Sequence, residues 1–181
     1  KWHWAFRKST DGGQTWTKKS LNITSSVSAM SFNSPLNGYI VGDGFILKTT
    51  DGFNTYTNYA VSGAYFMSIG FSSPTNGIAV GFNETMYKTT DAGNTWTKIT
   101  TGSAGRNWCS VSFPTPTTGY VLGTSGDIIK TMDGGNTWNP IQTPASHPLF
   151  SIWFTSVDTG FVVGFGNLVS TKGYLAMTYD G

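Results

Sequence analysis

Cysteine occurs once in this chain, at Cys109, so no internal disulfide can form and no multi-cysteine metal site can be built. Charge is also scarce. Only 11 % of the 181 residues are charged, and the net charge of +2 is spread so thinly that Lys18 and Lys19 form the only adjacent basic pair. A phosphate-binding stripe is therefore missing, and no nucleic-acid partner is implied. Weak charge also argues against disorder, which combines low hydrophobicity with strong net charge. No apolar run approaches the ~20 residues that cross a bilayer as a helix. No signal-peptide pattern opens the chain, which starts at Lys1. Arginine occurs twice (Arg7, Arg106), histidine twice (His3, His147) and glutamate once (Glu84), which leaves few groups for catalysis. Neither histidine lies near a nucleophile elbow or at metal-ligand spacing, and no cofactor or metal is implied.

What the chain has instead is aromatic side chains (15 %), 23 glycines and many Ser, Thr and Asn residues. That composition suits short antiparallel strands joined by tight turns. The strands recur in register. The phrases "KSTDGGQTWTK" (8–18), "KTTDGFNTYTN" (48–58), "KTTDAGNTWTK" (88–98) and "KTMDGGNTWNP" (130–140) are variants of one sequence, and "MTYDG" (177–181) begins a fifth. Their aspartates, Asp11, Asp51, Asp91, Asp133 and Asp180, are spaced by 40, 40, 42 and 47 residues. Two further phrases keep the same phase: "NGYIVG", "NGIAVG", "TGYVLG" and "TGFVVG", each preceded by "SAMSF", "MSIGF", "CSVSF" or "SIWF". Four β-type runs per ~40–45 residues is the stride of a propeller blade. The chain is thus read as all-β, a β-propeller of four-stranded antiparallel blades with about four to five repeats. The units are approximately 20–59, 60–99, 100–141 and 142–181, with 1–19 the end of a preceding one. Because third strands outnumber fourth strands, a segment of a larger propeller is preferred. The alternative is a small ring closed by the strand near Trp4 against 173–180.

Within each repeated phrase the Asp and Thr side chains can bond turn amides that lack a ladder partner. Gly13, Gly93 and Gly135 suit positive φ. Trp16, Trp96 and Trp138, with Tyr56 as substitute, are expected to lay a ring over the turn and against the next blade. The phrase is read as a fastening.

It resembles the Asp-box, or bacterial neuraminidase repeat: residues 9–16, 89–96 and 131–138 match S/T-x-D-x-G-x-T-W, while 49–56 departs at Phe53 and Tyr56. The combined pattern is most similar to propellers of the photosystem II stability and assembly factor family and to repeats of bacterial secreted proteins. That resemblance implies a non-catalytic, extracytoplasmic scaffold for a protein or glycan partner. It also implies two alternatives: an assembly factor for a membrane protein, or a part of a glycosidase. Sialidases hold their substrate with three arginines, and this chain has two. A catalytic carboxyl pair could come only from Asp43, Glu84, Asp127 and Asp158, since the other aspartates are committed to turns. Of these, Asp43, Glu84 and Asp127 occupy equivalent connections and read as solvated loop tips. Lys8, Lys48, Lys88 and Lys130, each three residues before a repeated aspartate, read as solvated or aspartate-paired; a cationic ring is the alternative. The long, variable connections 59–66, 99–108 and 141–150 share one face, where binding specificity can reside. Candidate contacts there are Tyr65, Phe66, Arg106, Asn107, Trp108, His147 and Phe150. For Phe66, Trp108 and Leu149 packing between blades is the preferred reading.

Overall fold

A computed structural model describes residues 5–102, 105–143, 148–165 and 173–181. His147, and Trp4 with its expected closing strand, lie outside the described residues. Fifteen strands and no helix occur among those described. They form five successive blades of a partial β-propeller. Blade I holds β1 (Ala5–Lys8) and β2 (Thr17–Ser20). Blade II holds β3 (Val27–Phe32), both halves of β4 (Gly38–Thr49) and the start of β5 (Thr57–Phe71). The rest of β5 joins β6 (Gly77–Gly81), β7 (Met86–Thr89) and β8 (Thr97–Lys98) in blade III. Blade IV is β9 (Trp108–Ser112), β10 (Gly119–Gly123), β11 (Ile128–Thr131) and β12 (Asn139–Ile141). Blade V is β13 (Leu149–Phe154), β14 (Gly160–Phe165) and β15 (Gly173–Thr178).

Blades II and III merge into one six-stranded sheet. Asp43 pairs with Tyr65, but Phe45 pairs with Ala60, so β5 bulges between and serves both blades. The connection expected at 59–66 is thereby strand, not loop.

Each "NG" or "TG" glycine has a steric cause. A Cβ on Gly38, Gly77, Gly119 or Gly160 would lie 2.3–2.6 Å from a ring carbon of Phe32, Phe71, Phe113 or Phe154, the phenylalanine closing the paired first strand. Any side chain there would displace that ring. Between blades, alternate residues of facing sheets form dry clusters. Tyr39, Val41 and Ile46 of blade II meet Phe66, Ile69 and Ala79 of blade III. Ile78, Val80 and Met86 meet Trp108, Val111 and Val121, and Tyr120, Leu122 and Ile128 meet Leu149, Ile152 and Phe154.

The repeated hairpins close on themselves through one carboxylate and one hydroxyl. Asp91 accepts from the Thr95 amide (2.9 Å), the Thr95 hydroxyl (2.7 Å) and the Thr89 hydroxyl (2.8 Å), while the Thr89 oxygen accepts from the Gly93 amide. Asp51 and Asp133 repeat the set, and so does exposed Asp11. Asp180 keeps the bond from the Thr178 hydroxyl. Gly93 and Gly135 take φ of 77° and 83°, as the turn requires. Phe53 stands at the same place with φ 62°. Its ring, 4 % exposed, packs edge-on to Phe6 and Phe32 in the room left where Tyr56 replaces tryptophan. That burial offsets a left-handed backbone worth about 1–2 kcal/mol.

The hairpin aromatics pack against the preceding blade rather than the next one. Trp96 of blade III is 4 % exposed among Tyr39, Val41 and Ile46 of blade II, edge-on to Phe71 of its own blade. Trp138 is placed likewise, on Phe113 and beside Ile78 and Val80. Trp16 is 55 % exposed, because blade I has no such neighbours among the described residues.

The lysine series is half-buried and reaches the following blade rather than pairing with the repeated aspartates. Lys48 donates to Asn94 Oδ1 and Lys88 to Asn136 Oδ1, each at 2.7 Å, and both acceptors lie in the hairpin of the following blade. Lys8 and Lys130 reach the backbone oxygens of Gly52 and Gly181 in the same way. The asparagine is itself held, since the Asn94 and Asn136 amides donate to the Asp91 and Asp133 carbonyls. Tyr39 adds a bond to the Ala92 carbonyl (2.7 Å). The lysines are straps between blades, each ammonium being held by a carbonyl oxygen of the following blade.

Two outcomes follow. Trp96→Ala should cost about 3–5 kcal/mol in urea unfolding and Trp16→Ala under about 1 kcal/mol, because only the first empties a core. Hydrogen bonds from Thr55 and Thr95 hold the Asp51 and Asp91 carboxyls down to about 2, from 3.8. A depressed folded-state value stabilises above the ordinary carboxylate range and is lost as pH falls through it. Tm should therefore hold steady above about pH 4 and fall between about pH 4 and 2, with a shallower fall in Asp91→Asn.

Candidate binding face

The hairpins and the short first-to-second-strand turns share one face, tied by bonds such as Gly52 N to Leu36 O and Ala92 N to Thr75 O, both 2.8–2.9 Å. The opposite face carries the variable connections. There, the residue after each second strand donates to the carbonyl before the first: Asp43 to Ser26, Phe82 to Tyr65, Thr124 to Asn107 and Phe165 to Pro148, all 2.8–2.9 Å. These four bonds form a rigid collar from which side chains project.

The collar is most polar where blades III and IV meet. Arg106 forms an ion pair with Asp127 of its own blade, the side chains being 46 % and 33 % exposed. The Arg106 carbonyl accepts from the Glu84 amide (2.7 Å), and Asn107 Oδ1 accepts from the Asn83 amide (3.0 Å), so residues 106–107 bridge the two blades. Asn83 and Glu84 both take positive φ, 54° and 55°, at the centre of the four-residue connection (82–85) from β6 to β7. Paired left-handed residues make the turn whose twist matches a hairpin. A glutamate in that conformation costs about 1–2 kcal/mol, and the bond to Arg106 helps hold it there. Glu84 also accepts from the Thr101 hydroxyl (3.4 Å). Beside this cluster Tyr65 stacks on Phe82, centroids 5.3 Å apart and nearly parallel.

The candidate contacts therefore divide. Arg106 and Asn107 are exposed and adjoin Asn83, Glu84 and Asp127, while Tyr65 is half-buried nearby. Phe66 and Trp108 are fully buried, as is Leu149, and their side chains fill the cores between blades. They leave the set because strand alternation turns them toward the preceding sheet. Phe150 is exposed but lies in blade V, against Phe165. Sequence reasoning missed Phe82, Asn83 and Thr101. The "FNET" turn at 82–85 was a signal for the first two, since Asn tolerates left-handed backbone. Asp43 is exposed in blade II. Cys109 is buried in β9, and burial pushes its thiol up to about 11.

No family model matches the chain, and no curated protein matches it by sequence. Solved structures do. The chain is similar to YCF48 from Cyanidioschyzon merolae (TM-score 0.73, 18 % identity, covering 97 % of this chain and 63 % of that one). It is also similar to YCF48 bound to D1 peptide (TM-score 0.58, 19 % identity, 86 % and 66 %). A third is an ancestral GH74 enzyme (TM-score 0.71, 19 % identity, 87 % and 24 %). These likenesses establish the propeller fold. The chain spans no more than about two thirds of the length of the YCF48 structures.

The bridge by Asn107 has a direct readout. Asn107→Ala removes the side-chain acceptor of the Asn83 amide and leaves the backbone acceptor of Thr124. Hydrogen exchange should quicken at Asn83 by about fivefold and stay unchanged at Thr124.

Proposed function

We propose that this chain is a non-catalytic scaffold that binds an extended segment of a protein partner across the collar where blades III and IV meet. The carrying observation is the exposed Arg106–Asn107 pair, anchored by its own backbone to a rigid rim and flanked by Glu84, Asp127 and the Tyr65–Phe82 stack. An exposed ion pair contributes little to folding, at most about 1 kcal/mol, so the guanidinium can be shared with a ligand. Peptide carbonyls and carboxylates suit that guanidinium and the Asn107 amide, and the aromatic stack offers an apolar contact. The YCF48 structure bound to D1 peptide lends support by precedent, as a propeller of this fold with a peptide ligand. The resemblance to secreted repeat proteins supports an extracytoplasmic setting as part of the same proposal. A glycosidase role has weaker support. The GH74 likeness covers 24 % of that enzyme, and Asp127 is already paired with Arg106.

Panning a displayed library of linear peptides against the full chain tests this. The expected result is peptides whose affinity falls at least about tenfold on Arg106→Ala with Asn107→Ala, with Tm nearly unchanged. Peptides indifferent to the double variant, or selective binding on a glycan array alone, would contradict it. So would glycoside turnover lost on Glu84→Gln or Asp127→Asn.

A further inference from the structure

Among the described residues, the collar connections of blades II to IV carry the charged side chains Asp43, Glu84 and Asp127 against Arg106. Carboxylates outnumber the guanidinium there, although the whole chain has a net charge of +2. Asp127 is taken up by Arg106, so the excess rests on Asp43 and Glu84. Both lie beside the Tyr65–Phe82 stack. Asp43 is the direct cross-strand partner of Tyr65, and residues so paired hold their Cβ atoms about 5 Å apart. Glu84 follows Phe82 by two residues in the same turn. The ring centroids are 5.3 Å apart with planes 10° from parallel, and both residues are half-buried, so the stack keeps part of its surface toward solvent. Asp43 is exposed and makes no ion pair among the described residues.

Turn geometry does not ask for a glutamate at position 84. In blades III and IV the glycine that ends the second strand donates across the connection, Gly81 to the Thr85 carbonyl (2.8 Å) and Gly123 to the Asp127 carbonyl (2.7 Å). Those bonds set Glu84 level with Gly126, which takes φ 91°. Glycine adopts such a backbone freely, whereas a glutamate at φ 55° is strained. Blade III thus holds a carboxylate in glycine's place, fixed by the bond from its own amide to the Arg106 carbonyl. Residues kept in a sparsely populated backbone region gather at ligand sites.

We propose that a lysine or arginine side chain of the partner segment seats on the Tyr65–Phe82 stack, flanked by Asp43 and Glu84. The inference rests on the scaffold reading above and adds to it the charge of the segment. Aromatic faces attract a cation through the ring quadrupole, and a guanidinium also stacks on them. The flanking carboxylates neutralise the cation and accept its N–H donors. An acidic side chain at the same place would meet two like charges, with the neighbouring guanidinium already engaged by Asp127. The Arg106–Asn107 pair alongside takes the carbonyls of the segment, so one extended strand uses both halves of the site.

The test is the composition of the linear peptides selected from the displayed library by the full chain, followed by their measured affinities. Lys and Arg together should be enriched at least about threefold over the input library at one position, and replacing that residue by Gln should weaken binding at least about tenfold. Against Asp43→Asn with Glu84→Gln the same replacement should weaken binding less than about twofold, because the charge it removes no longer has a counterpart. Both substitutions keep the shape of the side chain, so Tm should change little. Peptides that depend on Arg106 and Asn107 but carry no basic residue overturn this inference and leave the scaffold reading standing. So does a basic residue whose contribution survives the double variant. No bound peptide at all overturns both.

Discussion

A carboxylate that accepts three hydrogen bonds within one short hairpin is the constraint from which the rest of this structure follows. Asp51, Asp91 and Asp133 each bind the amide and hydroxyl of the threonine four residues on and the hydroxyl of the threonine two residues back. The loop so closed has a single shape, and that shape aims two groups outward. One is the aromatic ring, delivered against the sheet before it. The other is the asparagine, whose amide is spent on the aspartate carbonyl and whose oxygen is left facing the preceding blade's lysine. Local hydrogen bonding thus sets the distance between blades, and apolar burial between them supplies the larger free energy.

The same logic explains where the repeats deviate. Blade II carries Phe53 and Tyr56 in place of glycine and tryptophan, and the two rings share the volume of one indole at the cost of a left-handed phenylalanine. Blade V carries Met177 where the other blades carry a strap lysine. The blade II substitutions leave the hairpin bonds intact, so the strand order survives. On the collar face the variation is wider, because its bonds use only backbone atoms; only the adjoining Gly42, Gly81 and Gly164 are fixed, since a Cβ there would lie 1.8–2.2 Å from the acceptor carbonyl.

Much of the fold was legible from period alone. Forty-residue spacing, glycines at fixed phase and alternating apolar strands specify four-stranded blades without reference to tertiary contacts. The direction of packing was not legible. Trp96 could face either neighbour until β5 was seen to run from one blade into the next, and the lysines showed no partner in sequence because Lys48 and Asn94 lie 46 residues apart. The candidate site was legible in part. Arg106 and Asn107 stood out as polar residues in a variable connection, whereas Phe66 and Trp108 looked equally available. Only strand alternation relative to the neighbouring sheet separates an aromatic on the rim from one in the core.

The central claim is that the hairpin of each blade is fastened to the blade before it, beyond its own closure. A double-mutant cycle between Lys88 and Asn136 measures that fastening, using Lys88→Met, Asn136→Ala and the pair in urea unfolding. The account predicts a favourable coupling of about 0.5–1 kcal/mol, modest because the pair is partly exposed. Additive effects, with no coupling beyond experimental error, would mean that the strap is incidental and would contradict the account.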